Sequence, residues 1–223
     1  MLPSQTVENY LKTIYLAQTS AADTEALVPM GQVAAGLGVV PGTATTMMKA
    51  LAESGLVRYE PYMGVRLTPA GEKLATLVLR RHRLVELFLV KVLGMSWAEV
   101  HDEAERLEHA VSERLIDRID EMLGRPAVDP HGDPIPTAEG TVAQPHHVEL
   151  AAAPVGATLV VERVVDQDGD FLRFIEQRDL MPGSEVTVEV RDEAADSLQV
   201  RAGGRTTSVG LRAASKVLVS QKR

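Results

Sequence analysis

The stretch EVHDEAERLEH, residues 99–109, gathers His101, Glu105, Glu108 and His109 into nine positions. At about 100° per residue, these four side chains span an arc of roughly 100° and point broadly the same way. In the preceding helical segment, RRHRLVE, His82 and Glu86 form an i,i+4 pair on one face. Imidazole and carboxylate bind divalent ions, and both can also carry protons. The chain has no cysteine, which excludes disulfides and thiolate zinc sites. Oxygen and nitrogen donors without sulfur favour manganese, iron(II), cobalt or zinc over soft-metal chemistry. The plainer reading of a Glu/His-rich helix is a solvated charged face, and Asp102 and Glu103 fit it. The second set on the neighbouring segment favours a metal. Two antiparallel helices would concentrate negative charge there, and a cation relieves that cost.

The elements that must position these groups follow from periodicity. EKLATLVLRRHRLVELFLVKVLG reads as a long amphipathic helix ending at Gly94. WAEVHDEAERLEHAVSERLIDRIDEML reads as one further helix, with Ser96 as its N-cap and Glu99 completing a capping box. Its apolar stripe is Val100, Ala104, Leu107, Val111 and Leu115. Leu87, Phe88, Val90 and Val92 exceed what one neighbour covers, so part of that face, with Trp97 nearby, is expected to pack on a twofold mate.

Upstream, VENYLKTIYLAQ, MGQVAAGLGV and PGTATTMMKALAESGL read as three helices, and VRYEPYMGVRLT as a hairpin. Pro41 suits a first-turn position and Gly55 a helix end. Together they make a winged helix-turn-helix. Its reading helix starts at Pro41 and presents Gly42, Thr43, Thr46 and Lys49 on one side, with Arg58 and Arg66 flanking the wing. Downstream of the linker GRPAVDPHGDPIPTAEGTVAQP, period-two alternation in ATLVVERVV, SEVTVEV, SLQVRA and TTSVGL predicts short strands. One helical insertion, DFLRFIEQRDL, interrupts them. The expected fold is mainly α with a C-terminal small β-barrel of SH3-like type. The expected domains are a winged helix at 1–72, a helical dimerisation and metal-binding domain with linker at 73–145, and the SH3-like domain at 146–223.

Composition narrows the function. The 223 residues carry a formal net charge of −8, so any nucleic-acid contact must come from a local patch or wait until bound cations offset acidic residues. The N-terminus lacks a basic region followed by an apolar run, and no segment approaches a membrane span, so a cytoplasmic protein without membrane association is expected.

TVENYLKTIY, LTPAGEKLATLVLRRHRLVELFL, VHDEAERLEH and GDPIP together resemble the DtxR/MntR family of iron- and manganese-dependent transcriptional repressors. The resemblance spans nearly the whole chain, including the C-terminal (FeoA-like) domain of the longer members. It implies a homodimer that binds double-stranded operator DNA when metal is bound and represses metal-uptake genes, with no organic substrate. It also implies two metal sites. Glu105, Glu108 and His109 match a primary, DNA-activating site that draws Asn9 from the first helix. His82, Glu86 and His101 match an ancillary site completed from the SH3-like domain, where Asp168 and Asp170 are the nearest candidates.

Two departures bear on the metal. The family's iron-responsive members have cysteine at the position of Glu105, and a carboxylate there favours Mn²⁺ relative to iron(II), with Fe²⁺ and other divalent transition ions as alternatives. Asn9 stands where methionine or aspartate is usual and offers a neutral carbonyl oxygen. Two rival readings stay open on the residues alone: a metal-dependent hydrolase using the Glu/His cluster, and a winged-helix regulator that senses an organic ligand.

Overall fold

The computed structural model describes residues 4–20, 23 and 25–222. By its contacts the chain divides into two compact units, residues 1–81 with 136–142, and residues 82–135 with 143–223.

The first unit opens with α1 (Gln5–Ser20), α2 (Met30–Gly36) and α3 (Pro41–Glu53), followed by β1 (Val57–Glu60) and β2 (Gly64–Leu67). Pro41 occupies the first turn of α3, where its missing N–H costs nothing. Gly55 has a φ of 70°, the left-handed geometry that ends a helix. Tyr10, Leu11 and Ile14 of α1 pack with Val33, Ala44, Met48 and Leu51 into one core. β1 and β2 pair antiparallel, and an isolated bridge from Val28 to Val65 adds a third strand-like contact to the wing. Gly64 allows this, since a Cβ there would lie 2.5 Å from the Val28 carbonyl oxygen. This is the winged helix-turn-helix that the sequence predicts.

Helix α4 (Pro69–Lys91) starts in the first unit and ends in the second. The second unit continues with α5 (Val100–Leu107) and α6 (Glu113–Met122). The single helix expected from Trp97 onward is therefore two. Ser112 causes the break: its side chain accepts the Leu115 N–H and caps α6. The break also shifts the apolar phase. Val100 and Ala104 stay buried, Ile116 and Ile119 become the buried face of α6, and Leu107 and Leu115 are exposed. Ser96 does not open a helix, and α5 begins after Glu99.

The rest of this unit is a six-stranded antiparallel sheet in the order β3-β8-β4-β5-β6-β7. Its strands are β3 (Val148–Glu149), β4 (Thr158–Val164), β5 (Glu185–Asp192), β6 (Ser197–Ala202), β7 (Arg205–Gly210) and β8 (Val217–Gln221). Helix α7 (Gly169–Glu176) forms the helical insertion, and the short α8 (Leu211–Ala214) precedes β8. The sheet is open, with β3 and β7 as its edges, so the closed barrel expected from the strand pattern is not what forms. Trp97 also departs from expectation. It is 4% exposed, packed into the core of this sheet domain, and is not available to a twofold mate. Among the described residues, no helix is long and apolar enough to cross a membrane.

Candidate metal centre

The centre lies within the second unit, and α4 supplies its hub. His82 and Glu86 sit one turn apart on the buried face of α4 and are 5% and 0% exposed. Nε2 of His82 is 3.0 Å from Glu86 Oε1, and its Nδ1 is 2.5 Å from Glu108 Oε2. His101 approaches from α5, its Nδ1 3.2 Å from the same Glu86 oxygen. Glu105 Oε1 stands 3.9 Å from His82 Nδ1 and 3.9 Å from His101 Nε2. His109 joins at the turn after α5, its Nε2 3.2 Å from Glu108 Oε1. The end of α5 at Leu107 thus places Glu108 and His109 in the turn that enters α6.

Six of the nine residues of the two implied sites therefore form one connected cluster, in which His82 approaches members of both. His82, Glu86 and His101 bring ligand atoms within 4.8 Å of one another, and so do His82, Glu105 and Glu108. Both ring nitrogens of His82 face carboxylate oxygens, and Nε2 also lies 3.2 Å from His101 Nδ1.

A third trio was missed by sequence reasoning: Glu86, Asp129 and His131, all buried, also within 4.8 Å. Asp129 and His131 belong to the proline- and glycine-rich segment read as a linker, yet they are 4% and 0% exposed. The segment folds into a tight turn. Asp129 Oδ1 accepts the N–H groups of His131 and Asp133 at 2.8 and 2.9 Å. Gly132, with a φ of 86°, lets the turn close against β4, where a Cβ would sit 1.9 Å from the Glu162 carbonyl oxygen. The His131 carbonyl accepts the Val164 N–H at 2.9 Å. Arg83 donates to the Pro134 carbonyl at 2.5 Å, and Asp133 receives Arg83 at 3.3 Å, Arg163 at 2.5 Å and Gln167 at 2.9 Å. The signal available in the sequence was Asp-Pro-His-Gly-Asp, three potential ligands within five positions.

The chemistry of this trio is specific. His131 Nε2 lies 2.8 Å from the Trp97 carbonyl, which can only accept, so Nε2 carries the proton. Its Nδ1 lies 3.8 Å from Glu86 Oε2. Neither of these atoms nor Asp129 Oδ2 has a hydrogen-bond partner, although all three are buried. Arg83 Nε is 3.6 Å from Asp129 Oδ2, an ion pair without a hydrogen bond. Burial, followed by the charges of Asp133 and Glu86, pushes the Asp129 carboxyl well above the usual carboxylate range. Glu86 is shifted the other way: burial acts to raise it, but the hydrogen bonds from His101 and His82 outweigh that and hold it low. Three buried polar atoms without a hydrogen-bond partner, one of them on a histidine whose other nitrogen is held by a backbone carbonyl, have the arrangement of a metal ligand set.

Asp168 and Asp170 are not brought to this cluster. Asp168 caps α7, accepting the N–H groups of Asp170 and Phe171, and Asp170 is exposed and paired with Arg173. Asn9 belongs to the first unit, and its Oδ1 is buried without a hydrogen-bond partner. On the DNA side, Pro41, Gly42, Thr43, Thr46 and Lys49 are all exposed. The wing arginines are engaged within their own unit, Arg58 with Glu60 at 2.5 Å and Arg66 with Glu25 at 2.8 Å.

Gly132→Ala tests the turn. Forcing a Cβ onto this backbone should cost about 3 kcal/mol or more. Thermal melting should show the loss, and calorimetry should show Mn²⁺ affinity falling with it. A variant that melts and binds like the parent would mean that the turn does not set the position of Asp129 and His131.

A winged helix together with a buried carboxylate–imidazole cluster defines the class: a DNA-binding regulator with a metal centre. Comparison with known proteins gives the family. Residues 3–65 match the iron dependent repressor N-terminal DNA binding domain, 68–137 its metal binding and dimerisation domain, and 148–221 the FeoA domain. The iron-dependent repressor IdeR of Mycobacterium leprae is 32% identical over 198 residues, covering 82% of this chain and 84% of its own length. The regulator MntR of Lysinibacillus sphaericus is 32% identical over 122 residues, 55% of this chain and 84% of its own. A manganese-dependent transcriptional repressor, solved in complex with manganese, is 42% identical with a TM-score of 0.86, covering 97% of this chain and 100% of that one. The chain belongs to the iron-dependent repressor family, which includes the DtxR, IdeR and MntR proteins.

Proposed function

We propose that this protein is a metal-activated, DNA-binding transcriptional repressor that shuts down divalent-metal uptake genes when Mn²⁺ is bound, with Fe²⁺ as the alternative ion. The reading assigns DNA binding to residues 1–72, dimerisation and metal binding to 73–145, and an accessory SH3-like domain to 146–223. It acts as a homodimer on double-stranded operator DNA, in the cytoplasm where that DNA lies. The observation that carries it is the convergence of three buried residues, Glu86, Asp129 and His131, each with a side-chain atom that has no hydrogen-bond partner, next to a second cluster of potential ligands, His82, Glu105 and Glu108. Buried acceptors without donors are costly, and a divalent cation removes that cost.

The residues fit a hard ion. Every donor is oxygen or imidazole nitrogen, and Glu105 supplies a carboxylate. Glu105, Glu108 and His109, with Asn9, are assigned to the DNA-activating site. His82, Glu86 and His101 are assigned to the ancillary site, where Asp129 and His131 now take the part expected of Asp168 and Asp170. The metal supplies fixed positive charge; the chain's own groups hold it, orient one another and exclude water. The relatives are named as repressors and regulators, so the hydrolase reading is set aside.

The test is DNA binding to promoter fragments with each divalent ion at fixed ionic strength. Mn²⁺ should promote binding, and the operator should tighten Mn²⁺ binding by the same factor, because coupling between two ligands is reciprocal. Binding that rests on phosphate contacts should also weaken as salt rises, and the pairing of Arg58 and Arg66 with carboxylates should limit how steeply. Binding that ignores the metal would favour a regulator sensing an organic ligand.

A further inference from the structure

The outer face of the C-terminal sheet carries ligand-type side chains that the buried centre does not use. On β4, Val161 and Val164 both belong to the core, with Glu162 and Arg163 between them. Regular alternation would leave one residue there. The pairing of β4 with β8 shifts register between Val161 and Arg163, a β-bulge, which re-aims a side chain. Its two residues go to different neighbours. Arg163 reaches Asp133 of the buried turn at 2.5 Å, while Glu162 accepts the Ser220 hydroxyl at 2.6 Å. Glu162 also lines a cleft of about 810 Å³ with His146, His147, Val160, Ser220 and Gln221. The two histidines enter it from the segment just before β3. Among the described residues no cation pairs with Glu162, whereas Glu185 of the same sheet pairs with Lys222 at 2.6 Å.

A half-buried carboxylate, steadied by a hydroxyl and sharing a cleft with two imidazoles, is a donor set for a divalent ion. We infer that His146, His147 and Glu162 form an exchangeable site for one divalent ion of the imidazole-preferring class, zinc before manganese. Two nitrogens to one carboxylate favour zinc, cobalt or nickel, and manganese is the weakest binder of the divalent series. The buried centre, with Glu86, Glu105, Glu108 and Asp129, is richer in oxygen and suits manganese better. The three ligands of the cleft are not gathered within 4.8 Å as the buried trios are, so the histidines must close on the ion as it binds. The room around them leaves coordination positions to water. Such a site holds its ion weakly and releases it readily.

The full-length protein is dialysed against Zn²⁺ without DNA, and the bound metal is counted. His146→Gln combined with His147→Gln should bind one equivalent per chain fewer than the parent, while melting and binding Mn²⁺ as the parent does. Glu162→Gln should hold that equivalent about tenfold more weakly, and Ser220→Ala should weaken it by less. Equal zinc counts for the parent and the double histidine variant overturn the proposal. So does Glu162→Gln binding zinc as tightly as the parent, since the neighbouring histidines would then act without the cleft. A Mn²⁺ count that also drops by one in the histidine variant overturns the preference for zinc. A parent that binds zinc here while its DNA binding ignores every metal is a different result. It defeats the metal-activated reading above and leaves this site in place.

Discussion

Replacing Glu86 by glutamine is expected to lower Mn²⁺ affinity by about 100-fold or more while leaving the chain folded. The side chain is 0% exposed and its two oxygens serve different partners. Oε1 meets His82 at 3.0 Å and His101 at 3.2 Å, and Oε2 faces His131 at 3.8 Å. Glutamine keeps the volume and one acceptor, but it removes the negative charge and turns an N–H₂ towards groups that want a cation. Calorimetry gives the affinity and circular dichroism the fold. Asp129→Asn provides the contrast. The Asp129 carboxyl is raised, chiefly by burial and then by the charges of Asp133 and Glu86. A carboxyl raised on folding adds stability only below its unfolded value, and opposes folding as pH climbs from there through the folded value. At neutral pH, removing that carboxylate should therefore raise the melting temperature of the metal-free protein by roughly a few degrees. The further rise that Mn²⁺ produces should shrink. Unchanged Mn²⁺ binding by Glu86→Gln would end the case for this cluster as a metal centre. A lower metal-free melting temperature for Asp129→Asn would show that the carboxylate stabilises the apo fold.

The two variants also divide what the sequence could reveal from what it could not. His82, Glu86, His101, Glu105, Glu108 and His109 are legible because helical spacing alone puts each set on one face. Asp129 and His131 are not, because their placement depends on a turn. Pro130 and Gly132 mark that turn, but composition cannot distinguish a buried turn from a solvent-exposed linker. The same limit explains Asp168, whose short carboxylate can serve a helix cap or a metal equally well and is used for the cap. The winged helix was readable in full, since its three apolar faces and its hairpin are local patterns. The break between α5 and α6 was not, because the segment around Ser112 has helical propensity and only the cap decides. β8 was missed because Val217 and Val219 give two buried positions, too few to separate a strand from a tail.

Replacing His109 or Glu108 by alanine should abolish Mn²⁺-activated DNA binding, a loss of 100-fold or more, in a chain that still folds and dimerises. Both belong to the set that the family resemblance completes with Asn9, and so to the occupancy that activates DNA binding. Replacing His82 should only shift the Mn²⁺ midpoint, by about tenfold. The geometry gives that contrast a sharper form. His82 Nδ1 lies 2.5 Å from Glu108 Oε2, so in the metal-free protein it occupies a carboxylate that the activating ion needs. His82→Ala therefore removes an ancillary ligand and a competitor together. Its midpoint should be less sensitive to pH than the parent's, because no His82 proton has to leave as metal enters. Gel shifts across Mn²⁺ concentrations at two pH values resolve all three variants. Equal damage from His82→Ala and His109→Ala, with both proteins folded, would mean that the shared contact at Glu108 fuses the two sets into one cooperative centre. A midpoint for His82→Ala as pH-dependent as the parent's would show that this histidine is not the proton the metal displaces.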